Sequence, residues 1–264
     1  MGQMGQIPDE MLHAKWREIA PLVDVLASRI GDTVAFPVVL GSAFTGDDKG
    51  ASPYSVTYVV DACLASAIDH LHALKALVWD ARLLHTSAPA TLARSAIENS
   101  ATGLWVISPD ARNERISRSL RWFVQDARDR NRATQHIGPT GMEDALQRLR
   151  AVAVRRGIAP RAIIEPLNIT NMFADLKAGG REAAEFEWRL ASGFAHGRSW
   201  ASMGFLQREE LQLGDEDNVV LRMTNSDEMA LYFALKGLHS IELLLQRREF
   251  LAGLRTNDAS IDRQ

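Results

Sequence analysis

Arg189 and His196 lie seven residues apart in the stretch "EWRLASGFAHGRSW", which otherwise reads as helix. Each helical residue turns about 100°, so positions seven apart nearly overlap when viewed down the axis. Glu185 is four before Arg189 and Ser192 four before His196, so the four side chains form one polar stripe. Phe186, Leu190, Ala191 and Phe194 are expected to point the other way, toward a core. Gly193 and Gly197 leave room for another group to approach closely. A guanidinium is a planar fork that holds a phosphate, and an imidazole exchanges protons near neutral pH. Together they suit RNA cleavage without a metal. The histidine would take the proton of a ribose 2′-hydroxyl or protonate the leaving oxygen, and the arginine would stabilise charge building on phosphorus. The same stripe also fits the solvated side of an ordinary amphipathic helix, so both readings stand at this point.

The segment "RLASGFAH", Arg189 to His196, resembles the arginine-then-histidine signature of the HEPN superfamily, here with six intervening residues. The resemblance implies a helical bundle and, in many such proteins, a dimeric, metal-independent ribonuclease of a defence or toxin system. The run "LARSAIENSATGLWVISPDARNERISRSL" (92–120) is similar to actinobacterial proteins of no assigned function, in which it precedes a Ser…Ala-His-Gly segment. On this basis Arg189 is expected to bind phosphate and His196 to act as general acid or base. Glu98 and Ser192 are expected to orient them, with no metal and no organic cofactor.

Other residues invite chemistry as well. Arg94 and Glu98, four apart, read either as a pair orienting His196 or as a plain intrahelical ion pair. The segment 113–132 carries Arg115, Arg118, Arg121, Arg128, Arg130 and Arg132 against three acids. Helical projection puts Arg118, Arg121, Arg128 and Arg132 on one side, with Trp122 beside them as a base-stacking candidate. This Arg-rich helix supports a second reading, a non-catalytic bundle that binds a protein or nucleic-acid partner. Asp69 and His72, like Glu10 and His13, have the carboxylate-to-histidine spacing of di-metal bundles, but the flanks supply no full ligand set. His70 is expected to be a buried, hydrogen-bonded histidine. "GSAFTGDDKG" has a loose likeness to a phosphate-binding loop but lacks the Gly-Lys-Ser/Thr ending. His85, His136 and His239 show no partner pattern.

The elements that must carry these residues follow from periodicity and punctuation. Helices are expected over 9–30, 56–84, 88–107, 110–132, 142–156, 169–178, 181–196 and 226–254. Ser108-Pro109 ends the third, Gly179-Gly180 caps the sixth, and Asn225 with Glu228 makes a capping box for the last. Residues 31–55 read as an irregular connection with a short strand at Val34 to Leu40. A hairpin is expected after 204, turning at Gly214-Asp215-Glu216-Asp217. The fold class is therefore all-α, a helical bundle with a small late β-hairpin, read as one domain over 1–264 with a frayed tail at 255–264. With 46% hydrophobic and 24% charged residues the 264-residue chain can bury a core, and its net charge of −3 neither favours nor excludes RNA as a partner. The single cysteine, Cys63, forbids an internal disulfide and fits a reducing cytoplasm. No run is long and apolar enough for a membrane helix, and the N-terminal residues lack the layout of a signal peptide. A homodimer is expected from the apolar content of the helices.

Overall fold

A computed structural model describes residues 7–32, 34–181, 184–211 and 220–255. Among them are eleven α-helices and one two-stranded antiparallel hairpin, so the fold is all-α with a late β-hairpin. In chain order the helices are α1 (Asp9–Arg29), α2 (Ala43–Ala51), α3 (Val56–Lys75), α4 (Ala88–Ile107), α5 (Arg112–Thr134), α6 (Met142–Arg155), α7 (Pro160–Ile164), α8 (Ile169–Ala178), α9 (Glu185–Ala195), α10 (Ser199–Phe205) and α11 (Asp227–Leu251). Strands β1 (Gln207–Leu211) and β2 (Val220–Thr224) pair with Gln207 opposite Thr224 and Leu211 opposite Val220. The turn expected at Gly214–Asp217 lies outside the described residues, as does the tail from 256 on. Among the described residues, no helix is long and apolar enough to cross a membrane.

The residues fall into two compact units. One is drawn from Met1–Ala35, Ala65–Asn99 and Ala184–Glu242, the other from Phe36–Leu64, Ser100–Ala183 and Leu243–Gln264. Helices α3, α4 and α11 contribute residues to both. In the first unit the core gathers Trp16 and Val23 of α1, Leu71 of α3, Ile97 of α4, Phe194 of α9 and Phe233 of α11, all nearly sealed from solvent. Phe194 meets Phe233 edge to face at 6.1 Å, an arrangement that the ring quadrupole favours. The second unit buries Phe44, Val59, Leu64, Ile107, Leu120 and Phe173. It also buries a carboxylate, Asp47 on α2. Arg115 Nε and Nη2 donate to the two Asp47 oxygens at 2.6 and 2.9 Å, and Arg112 Nε adds a third bond at 3.2 Å. A buried charge persists only when it is paired in this way.

Four expectations are corrected. No strand forms at Val34–Leu40. Leu40 is 93% exposed and the segment has no neighbouring strand; its Val39 N–H donates to the Ala252 carbonyl at 2.9 Å instead. The stretch read as irregular contains α2, started by Ser42, whose Oγ accepts the Thr45 N–H. The helix expected over 56–84 stops at Lys75 and widens into a turn of π-helix, Ala76–Asp80. That turn brings Asp80, five residues on, to 2.8 Å from the buried Lys75 ammonium, which Asp24 of α1 also holds at 2.7 Å. The cap of α11 is Ser226, whose Oγ accepts the Met229 N–H, rather than Asn225, whose side-chain amide donates to the His85 carbonyl.

Candidate functional site

Helix α9 begins at Glu185, four residues later than expected, and ends at Ala195 with His196 at its C-cap. The polar stripe survives this shortening because all four of its members lie within 185–196. Leu190, Ala191 and Phe194 are buried as expected. Phe186 is not: it is 57% exposed and leans on Phe205 in the first turn of the helix. Its expected place is taken by Glu187, which is 8% exposed. Tyr232 Oη donates to its carboxylate at 2.7 Å and the Lys236 ammonium lies at 2.9 Å. Burial alone would raise the pKa of Glu187, but these two partners outweigh it and hold the carboxyl below its ordinary range. Burial of the phenol, together with the Glu187 carboxylate, raises the pKa of Tyr232.

Past His196 the chain reverses. Gly197 takes φ +62°, a left-handed conformation that suits glycine, and α10 folds back on α9. A side-chain carbon at Gly193 would stand 2.7 Å from both Ala201 Cβ and Trp200 Cζ2. Glycine at 193 is thus what lets α10 and the Trp200 indole seat against α9. The close approach foreseen at the glycines is made by the chain itself.

Between these elements and α4 lies an open cleft of about 610 Å³. Arg94, Arg189, Arg198, His196 and Ser192 supply its polar lining, and Phe186, Trp188 and Trp200 its aromatic lining. Arg94 Nε donates to Ser192 Oγ at 2.9 Å, tying α4 to α9, and Arg94 Nη2 lies 2.9 Å from Glu98. Glu98 also accepts the Trp188 indole N–H at 2.8 Å. Arg189 donates twice to Glu185, at 3.0 and 2.8 Å. The Nη1 groups of Arg94 and Arg189 keep their donors without a protein partner among the described residues. Arg198 and His196 are exposed and have no side-chain hydrogen bond or ion pair among the described residues. The arrangement offers guanidinium donors in excess of nearby carboxylates, an uncommitted imidazole and aromatic surface, all within one hollow.

Arg189, His196 and Ser192 are thus brought together on one cleft. Glu98 stands behind it, bonded to Arg94 and Trp188. Arg118, Arg121 and Arg128 are elsewhere, on α5, and are occupied by backbone carbonyls. Arg118 donates to Trp105 O (2.7 Å), Arg121 to Glu165 O and Pro166 O (2.9 and 2.7 Å), and Arg128 to Ile164 O (2.7 Å). Trp122 is half-buried, edge-on to Phe123. Arg121 and Arg128 hold α7 and the turn after it, and Arg118 the C-terminal turn of α4, tasks that projection of a single helix cannot reveal. His70 Nδ1 bonds Ser66 O at 2.7 Å, His72 lies 3.4 Å from Asp24, and His13 lies edge-on to Trp79. Among the described residues no group of three or more His, Cys, Asp or Glu is placed to hold a metal ion.

Sequence reasoning missed Arg198, Trp188 and Trp200. Trp188 is one residue off the stripe and so falls outside a seven-residue repeat. Arg198 and Trp200 lie past the helix end, and only the Gly197 reversal returns them to the cleft. That His196-Gly197 junction was the one available signal. No known protein family, curated protein or solved structure matches the chain.

Proposed function

We propose that this chain is an RNA-directed protein of HEPN-like type, a metal-independent endoribonuclease whose site is the cleft between α4, α9 and α10. One observation carries the reading: Arg189 and His196 open into the same solvent-reached hollow, with Arg94, Arg198 and Ser192 on its walls. In this reading the guanidiniums seat the scissile phosphate and stabilise the charge that grows on its oxygens. His196 takes the proton from the 2′-hydroxyl; the O2′–P bond forms and the P–O5′ bond breaks. The departing 5′-oxygen takes a proton from water, and the imidazolium returns its own to solvent. The products are a 2′,3′-cyclic phosphate and a 5′-hydroxyl. Glu185 and Glu98 hold Arg189 and Arg94 in place, and Ser192 fixes Arg94 from the opposite helix. RNA in the cytoplasm is the partner, acted on by a homodimer.

Cleavage of single-stranded RNA in the presence of EDTA tests this. His196→Ala should lose at least about 100-fold in rate with the helical circular-dichroism signal unchanged. Arg189→Ala should lose a comparable factor. Equal rates for wild type and His196→Ala, or activity abolished by EDTA, would end the proposal.

A further inference from the structure

We infer that Trp200 is a base-stacking platform, so that the cleft recognises a nucleobase as well as the phosphates beside it. This deepens the nucleic-acid reading of the same cleft and rests on it. Trp200 is 53% exposed, an unusual state for a side chain of that size. It is not loose. The Cζ2 and Cε2 edge of its indole is seated on Gly193, where a side-chain carbon would lie within 2.7 and 3.1 Å. A large aromatic fixed on one side and open on the other has already lost the freedom that binding would remove, which favours stacking. Arg198, two residues earlier, lines the same cleft and lacks any protein anion among the described residues. A guanidinium and an exposed ring on one short segment match the alternation of phosphate and base along a single strand. Phe186 adds a second exposed ring to the lining, at 57%. In a duplex the base faces are stacked on one another, so such a platform selects unpaired bases.

The test uses all-deoxyribose oligonucleotides, which lack the 2′-hydroxyl and so report binding without cleavage. Wild-type protein should bind oligo(dA) about tenfold or more tighter than an abasic deoxyribose-phosphate chain of equal length. Trp200→Ala should lose that advantage while keeping its affinity for the abasic chain, and Trp200→Phe should retain most of it. Equal affinity for the two chains, unchanged oligo(dA) binding by Trp200→Ala, or no oligonucleotide binding at all would overturn the inference. The outcomes separate from those of the nuclease reading. Stacking through Trp200 without RNA cleavage would fail the nuclease alone. His196-dependent cleavage indifferent to Trp200→Ala would fail the platform alone.

Discussion

Three side chains of the cleft follow from one helical repeat: Arg189, Ser192 and His196 share a stripe because seven residues nearly complete two turns. The exchange of Phe186 for Glu187 was not legible at this scale. What decides it is Tyr232 and Lys236, 45 or more residues away, which make burial of that carboxylate tolerable. Removing the charge with Glu187→Gln should cost about 1 to 3 kcal/mol at neutral pH, measured by denaturant unfolding. The sign with pH follows from the depressed pKa of Glu187. Its contribution is complete above the ordinary carboxyl value of about 4.3 and fades as pH falls through the lower folded value. Wild type and Glu187→Gln should therefore draw together in stability as pH falls through that lower value; a gap that does not change with acidification would contradict the ion pair. Cys63 offers a second check. Burial pushes its thiol up to about 12, so it should resist alkylation at pH 7 in the native protein and react once the chain is unfolded.

Among elements, the long helices were plain from apolar spacing, and the short ones were not. Helices α2, α7 and α10 have at most nine residues, too few for a periodic signal to rise above their turns. The hairpin was legible because two β-rich runs flank a polar turn. The break of α3 into a π-turn was not, since it answers to Asp24 on another helix. Seating of α10 depends on one missing methyl group. Gly193→Ala should displace α10, lower stability by about 1 to 3 kcal/mol and weaken oligonucleotide binding along with it; an unchanged protein would show that α10 yields without cost. At the start of α11, Ser226→Ala should cost about 1 kcal/mol, whereas loss of the Asn225 side chain removes its tie to the His85 carbonyl and the acceptor of the Ser226 N–H.

For the molecule as a whole, charge placement matters more than charge total. A net charge of −3 coexists with a cleft whose ionic lining is three guanidiniums and an imidazole. RNA affinity should consequently fall with salt, with a log–log slope of about −1 to −2, set by at most three neutralised phosphates. A steeper slope would point to additional contacts, and the Arg-rich α5 would be the first place to seek them. The opposite use of charge is seen at Asp47, where Asp47→Ala would leave Arg115 buried and unpaired at a cost of about 3 to 5 kcal/mol. Composition alone shows neither arrangement, because the partners meet only after folding. The most direct measurement is the fate of an all-deoxyribose oligonucleotide carrying a single ribose, incubated with the protein in EDTA and read by mass spectrometry. A cut only at that ribose, leaving a 2′,3′-cyclic phosphate and a 5′-hydroxyl and absent with His196→Ala, is the expected result. An intact oligonucleotide, or a cut that survives removal of the 2′-hydroxyl, would contradict it.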